Sequence, residues 1–255
     1  MTNPNYMVPA PVAAGRALCL AALWHRTRIE TMRSRRIAPH ESNVADLKRT
    51  SQRLADELND WLKSEQLWDA LSDSERTVLS RPAGGITRQE LIHGSWRTEA
   101  LAVVLWALNR VEGLPTYDTL ADPEMSLEQI PLNQDVRGFV AKAELRSCDV
   151  LRDARAEAEL WHWRARTYQI QHERDRSPLP NGRTYAEIIR TAAANGEEHG
   201  LFVAIDGDFP VFGKAYRDAT DEEWSKLSSI ASERHYALNW LCGDAYDWDQ
   251  VLTDT

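Results

Sequence analysis

The segment 233–241, near the carboxyl end, combines side chains capable of acid–base chemistry with apolar residues that require burial. Glu233, Arg234, His235 and Asn239 stand there among alanine, leucine and tryptophan residues. Burying a polar or charged group costs free energy unless a hydrogen-bond partner or an opposite charge accompanies it. We therefore expect other parts of the chain to supply partners for these four side chains.

The guanidinium of Arg234 has the strongest need for a partner. On a helix opened at Thr220, it falls on the apolar stripe formed by Trp224, Leu227, Ala231, Leu238 and Leu241. Because arginine keeps its proton in proteins, a buried guanidinium needs a carboxylate or several carbonyls. Arg97 and Glu99 form a comparable pair at the entrance of a second helix. We predict that the two helices meet, so that this pair and the Glu233–Arg234 pair form a crossed ion-pair network.

Two interpretations of this network stay open. A buried ion-pair network that only fixes the register of two packed helices is structural. If a cleft exposes the same groups to solvent, they suit an enzyme that acts on a small polar substrate. That site would lie near Arg97, Glu99, Glu233 and His235.

His235 and Asn239 lie one helical turn apart and are candidates for an acid–base group and the residue that orients it. Cys242 continues the same stripe, which brings cysteine–histidine–asparagine chemistry into consideration. Residues stacked on one helix seldom converge around a substrate, and no nucleophile adjoins His235 in the sequence. A hydrogen-bonded histidine in the core is the simpler interpretation.

Two Glu-x-x-His motifs, Glu90–His93 and Glu159–His162, have the spacing that di-iron helical bundles use for their ligands. With 7 histidines and 39 acidic residues in the chain, about one such match is expected by chance. Glu90 is also the predicted carboxylate of a helix-capping box. We therefore predict no metal site, and no motif indicates a cofactor.

Four aspartates cluster near the carboxyl end: Asp244, Asp247, Asp249 and Asp254. They lack the spacing and the closing glutamate of an EF-hand calcium loop. Asp247 is instead predicted to cap a last short helix, with Trp248 and Val251 packed inward.

The composition narrows the function classes. Among 255 residues, 39 acidic and 30 basic side chains give a net charge of −9, which disfavours a dedicated nucleic-acid binder. A basic stretch near the start is either an anion or partner site or, more simply, a solvated helix end; it contains Arg26, Arg28, Arg33, Arg35 and Arg36.

Three cysteines without a Cys-x-x-Cys pair favour a reducing cytoplasm. The apolar run Ala17–Trp24 is too short to span a membrane and lacks the features of a signal peptide.

Apolar spacing at three and four residues predicts helices almost throughout the chain, including helices over about 12–32, 42–62 and 147–173. Because residues 100–108 are all apolar, their helix belongs in the middle of a bundle. An irregular connection is predicted from Leu114 to Pro131. Capping boxes mark four helix starts, at Ser72–Glu75, Thr87–Glu90, Thr184–Glu187 and Thr220–Glu223.

One β-hairpin interrupts the helices, within about 201–216, with its turn at Asp206–Gly207 and an edge strand at Phe209–Phe212. The predicted fold is mainly α: a helical, bundle-like single domain over 1–255 with this short hairpin. The polar-core motif occupies 220–255.

Several of these segments together resemble an uncharacterised bacterial family, domain-of-unknown-function 4272. The resemblance is carried by Arg16–Leu18 with Ala21–Leu23, Trp96–Leu101 with Leu105–Leu108, Asp208–Val211, Glu233–Leu241, Trp248–Asp249 and Asp254–Thr255. It implies a bacterial helical domain and supplies no activity, cofactor or catalytic residue. Because the sequence combines much specific structure with no recognisable reaction machinery, we expect a cytoplasmic protein that acts by macromolecular interaction, as an adaptor or a neutralising protein with a protein partner. The enzyme described above is the alternative, and neither a membrane nor a nucleic acid is expected as a partner.

Overall fold

The structure, a computed structural model, describes residues 7–36, 44–173 and 182–254. Helices dominate these ranges and the β structure there is one two-stranded hairpin, so the prediction of a mainly α fold is confirmed. No helix within the described ranges is both long and apolar enough to cross a bilayer. In chain order the elements are α1 (Ala10–Arg36), α2 (Val44–Ser64), α3 (Asp73–Leu79), α4 (Arg88–Ala107), α5 (Pro123–Glu128), α6 (Arg137–Ala141), α7 (Cys148–His172), α8 (Tyr185–Glu198), β1 (Pro210–Val211), β2 (Lys214–Ala215) and α9 (Asp221–Leu241).

All four predicted capping boxes form. In each, the serine or threonine hydroxyl accepts a hydrogen bond from the backbone N–H of the glutamate, whose carboxylate accepts one in return. Each box satisfies backbone donors that the first helical turn leaves free. The starts of α3, α4, α8 and α9 therefore lie where the sequence predicts them.

Helix α4 packs against both α1 and α9. Its segment 100–105 is buried on every side, as the unbroken apolar sequence predicts. Every residue of α1 from Ala13 to Ala22 is buried. This helix is covered on all sides because it contacts α2, α3 and α6 as well as α4. The helices α1 and α4 approach closely at Gly94, where a Cβ atom would collide with the methyl group of Thr27.

The hairpin forms further along the chain than predicted. Asp206–Gly207 does make a tight turn, but it closes a single bridge between Ile205 and Asp208. The paired strands are β1 and β2, joined by Phe212–Gly213, both with positive φ. The ladder does not extend from the first turn because Pro210 lacks the N–H that the next pair would need.

The connection predicted to be irregular from Leu114 to Pro131 contains α5. Asp122 caps this helix by accepting hydrogen bonds from two backbone N–H groups, and Pro123 occupies its first turn. A Pro in that position favours a helix start, so the sequence did carry a signal for α5.

Candidate functional site

Arg234 lies fully buried at the contact between α9 and α4, with a side-chain exposure of 0%. Its Nε donates to Oε2 of Glu99 at 3.0 Å, and Nη2 forms an ion pair with the same oxygen at 2.9 Å. Its Nη1 donates to the carbonyl of Pro115 (2.6 Å) and its Nη2 to that of Thr119 (3.0 Å). All three guanidinium nitrogens therefore have acceptors, and no group of Arg234 is left for a ligand.

The carboxylate of Glu99 is enclosed as well. Its second oxygen, Oε1, accepts the backbone N–H of Ala121 at 2.8 Å. The guanidinium of Arg234 lies over the ring of Tyr117, 5.0 Å from the ring centre. The connection between α4 and α5 is thus wrapped around the ion pair, which explains why this long segment holds a fixed path.

The second predicted pair is also present. Arg97 of α4 donates to Glu233 of α9 at 3.0 Å, with side chains 21% and 19% exposed. Burial raises the pKa of Glu233, while the Arg97 charge opposes that shift. Arg97 also lies over the rings of Tyr236 and Trp248. The crossed network therefore has a sealed half and a half that reaches the surface.

His235 faces α7 instead of joining this network. Its Nδ1 lies 3.1 Å from Nδ1 of His162, and both imidazoles are buried. Burial lowers the pKa of both histidines, that of His235 to about 4. Because one Nδ1 must donate and the other accept, the pair is stable only when at least one ring is neutral. The Glu-x-x-His spacing of His162 indicated only metal ligation, so its contact with His235 was not predicted.

Asn239 has partners on two sides. Its Oδ1 accepts from Nε of Arg155 (2.7 Å), and its Nδ2 donates to the carbonyl of Leu252 (2.8 Å). Asn239 thereby connects α7 to the segment that follows α9, which is a structural role. Glu159 is exposed, and no group of three or more potential metal ligands occurs among the described residues.

Cys19 and Cys242 do not carry activated thiolates. Burial raises the pKa of Cys19 to about 12 and that of Cys242 to about 11. A thiol with a raised pKa stays protonated near neutral pH and is a poor nucleophile. This argues against cysteine–histidine–asparagine chemistry on the α9 stripe.

Further buried ion pairs were missed by the sequence analysis. Arg16 of α1 donates to Glu75 of α3 at 2.5 Å. Arg164 of α7 donates to both carboxylate oxygens of Asp208, at 2.7 and 2.8 Å. Both arginines stand among apolar residues, so the signal that identified Arg234 was present for them too.

The basic stretch near the start is not a uniform solvated surface. Arg26 is buried against Glu30 and donates to two backbone carbonyls of the connection between α3 and α4. Arg28 is exposed and pairs with Glu124 at 2.8 Å. The side chains of Arg35–Arg36 lie outside the described residues. The simpler interpretation of a solvated helix end is therefore wrong for Arg26, whose side chain is buried and whose two carbonyl acceptors are distant in sequence.

An open groove of about 510 Å³ lies between the start of α1, the loop before α3 and the segment 240–248. Its floor includes Trp240 and Trp248, which are buried. At its edge, Val12 is 52% exposed and Tyr246 is 95% exposed. Exposed apolar side chains around a concave surface are typical of binding sites. No motif in the sequence had indicated this groove.

The segment after α9 is fastened where it borders the groove. Tyr236 donates its hydroxyl to the carbonyl of Trp248, and Asp249 accepts hydrogen bonds from N–H and Oγ of Ser74, at 2.9 and 2.8 Å. Asp247 caps the short helix Trp248–Gln250, as predicted, and Val251 is buried. The groove therefore has fixed walls on the side formed by this segment.

Comparisons with known proteins place the chain in a family. The model of the family described as Domain of unknown function (DUF4272) matches residues 9–187. The matched range includes Arg97 and Glu99 and ends before α9, so the motif 233–255 lies outside it. The chain has no match among curated proteins or among solved structures. Because the match spans well over half of its length, the chain belongs to the DUF4272 family of domains of unknown function.

Proposed function

We propose that the chain acts by binding another protein, as an adaptor or a neutralising partner, through the groove beside α1. The observation that carries the proposal is the contrast between two places in the molecule. The groove is open and bordered by the exposed side chains of Val12 and Tyr246, whereas the charged core at Arg234 is closed. A sealed core suits a scaffold, and an open apolar groove suits a partner.

The placement of the polar residues favours binding over catalysis. Glu99 and His235, two of the groups in the enzyme alternative, are both buried. They also face different neighbours, because Glu99 is bound to Arg234 and His235 contacts His162. A general acid or base must lie within hydrogen-bond reach of its substrate, and these groups have no common approach for one.

We further propose that the protein works in the cytoplasm of a bacterium. Cys19, Cys148 and Cys242 are free thiols in the structure. Free thiols, one of them exposed, are compatible with a reducing compartment.

Photo-crosslinking in living cells tests the proposed function. p-Benzoylphenylalanine replaces Tyr246 at the groove, and in a control variant it replaces Phe212, an exposed aromatic residue of the hairpin turn. We expect a protein adduct from position 246 that is absent from position 212. The adduct should disappear when Val12→Asp is added. Absence of a protein adduct at 246, or identical adducts at both positions, would contradict the proposal.

A further inference from the structure

We infer that the groove binds an extended segment of the partner protein in which a lysine or arginine adjoins an apolar residue. This inference rests on the proposed function and names the chemistry of the partner. Three independent properties of the groove lead to it: its charge, its apolar surface and its unpaired N–H donors.

The charge of the groove is negative. Two guanidiniums line it, but Arg16 is bound to Glu75 and Arg76 is bound to Asp73, each at 2.5 Å. Asp69 also lines the groove, is exposed and has no cationic partner among the described residues. A third carboxylate of the lining belongs to the capping residue Asp247. Since the cations are already neutralised, the groove attracts a positively charged group.

The apolar surface of the groove gives such a group a second contact. Tyr246 projects almost completely into solvent at the edge, and Val12 is half exposed on the first turn of α1. An aromatic ring attracts a cation placed over its face. Lysine and arginine also carry long apolar stems that pack on apolar residues while the charge stays in water. An apolar neighbour in the partner would cover Val12.

Two side chains that line the groove each contain a buried N–H donor without an acceptor among the described residues. The donors are Nε of Arg16 and Nε1 of Trp248. The two are neighbours, because Cζ of Arg16 lies 4.9 Å from the ring centre of Trp248. Buried donors are nearly always paired in native proteins, so an acceptor from a bound molecule would pair with one of them once its side chain shifts toward the groove.

A peptide segment satisfies all three properties at once. An anion would pair with the donors but would be repelled by the carboxylates. A small cation would pair with the carboxylates and leave the donors without acceptors. An extended peptide brings backbone carbonyls for the donors, a cationic side chain for Asp69 and Asp247, and an apolar side chain for Val12.

Selection from a random dodecapeptide phage library on the immobilised full chain tests this inference. The Val12→Asp variant serves for counter-selection. Val150→Asp is the matched control, because Val12 and Val150 are both exposed valines at the third position of a helix. We expect enriched peptides in which lysine or arginine adjoins an apolar residue. Their binding should persist in Val150→Asp and be about tenfold weaker in Val12→Asp.

A synthetic, fluorescein-labelled copy of the enriched peptide then tests the charge by fluorescence polarisation. Asp69→Asn should weaken its binding about threefold, whereas Asp60→Asn, at an exposed acid of α2 outside the groove lining, should leave it unchanged. Added salt should also weaken binding.

Three results would overturn the inference. Enrichment of acidic or uncharged peptides, or no enrichment that depends on Val12, would exclude a basic partner segment. Peptide binding seen only after deletion of residues 1–6 would show that the chain's own amino-terminal segment is the occupant of the groove. The crosslink from position 246 is a separate readout: a protein adduct there, together with failure of the basic peptides, would refute the partner chemistry and keep the proposed function.

Discussion

At the scale of single residues, Arg234 illustrates what a buried charge requires. It has one carboxylate partner, Glu99, and three backbone carbonyls, at 2.6, 3.0 and 3.4 Å, that come from the connection after α4. Charge and hydrogen bonds are satisfied together, which is the condition under which a buried ion pair is tolerated. Removing one member of the pair would leave the other charge buried and unpaired.

We expect Glu99→Gln to lower the free energy of unfolding by about 3–5 kcal/mol, because it leaves the Arg234 charge without a counter-charge. Urea denaturation followed by circular dichroism measures the loss. The control is Glu57→Gln, which removes the exposed pair with Arg53 and should change the free energy by less than about 1 kcal/mol. Equal, small losses in both variants would show that the buried pair has no special role.

The pair of histidines predicts a pH dependence of stability. Burial lowers the pKa of His235 to about 4, and His162 and Arg155 add to that shift. Burial also lowers the pKa of His162, with Arg166 acting in the same direction. In the unfolded chain a histidine binds its proton near pH 6.5. Between these values the unfolded state holds more protons, so stability falls as the pH falls from about 6.5 to about 4.

Urea denaturation at several pH values between about 7 and about 4.5 tests this dependence. We expect a loss on the order of 2–3 kcal/mol associated with His235, and a flatter profile in the His235→Gln variant. His93→Gln, at an exposed histidine of α4, is the control and should keep the original profile. Superimposable profiles for all three proteins would contradict the assignment.

The sequence predicted the Arg234 pair because its guanidinium fell on an apolar stripe and Glu99 stood at the start of an apolar helix. The same reasoning was available for Arg16 and Arg164, each surrounded by apolar residues. Their partners, Glu75 and Asp208, lie in a capping box and in a turn, so nothing in the local pattern marked them as buried acids. Only packing reveals such partners.

At the scale of elements, the features that depend on contacts within a few residues were predictable, and those that depend on tertiary packing were not. Helix starts were predictable because a capping box is a contact within four residues. The full burial of α1 was not predictable, because the helices that cover it, α2, α3 and α6, come from other parts of the sequence. The paired strands lie beyond the turn that Asp206–Gly207 does form, because Pro210 has no N–H for a ladder that continues from that turn.

The contact between α1 and α4 gives a prediction about two glycines. Gly94→Ala should destabilise the protein by about 1–3 kcal/mol, because the new methyl group collides with Thr27 and overpacks the contact. Gly15→Ala is the matched control, since the space around Gly15 is open. It should stabilise α1 by up to about 1 kcal/mol, as alanine favours a helix.

Thermal denaturation of both variants checks this expectation, and Thr27→Ser supplies the reciprocal test. This change removes the methyl group that Gly94→Ala would strike and keeps the hydroxyl that donates to the carbonyl of Trp24. The double variant should recover part of the lost stability. Stabilisation by Gly94→Ala alone would mean that the two helices are further apart than the structure has them.

At the scale of the whole molecule, the groove is assembled from segments that are far apart in sequence: the start of α1, the loop before α3 and the segment after α9. No periodicity or motif connects these segments, so the groove could not be predicted from the sequence. The inward packing of Trp248 could be predicted because it depends on the local pattern. A concave surface of this kind follows from the tertiary arrangement alone.

We propose that the described elements form one domain, because α4 packs against both α1 and α9. Far-ultraviolet circular dichroism and tryptophan fluorescence should then report the same unfolding midpoint in urea, since coincident transitions by different probes are the mark of one cooperative unit. The Glu99→Gln change should shift both midpoints equally. Separate midpoints for the two probes would indicate independent units and contradict the proposal.

The most direct measurement compares binding and stability in two variants. The partner identified by crosslinking is titrated into Val12→Asp, a change in the groove, and into Glu233→Gln, a change in the ion-pair network, both at a temperature where each variant is folded. We expect Val12→Asp to lose binding with an unchanged melting temperature, and Glu233→Gln to melt earlier with an unchanged dissociation constant. A folded Glu233→Gln protein that no longer binds, beside a Val12→Asp protein that still does, would place the functional site in the polar network and refute the groove.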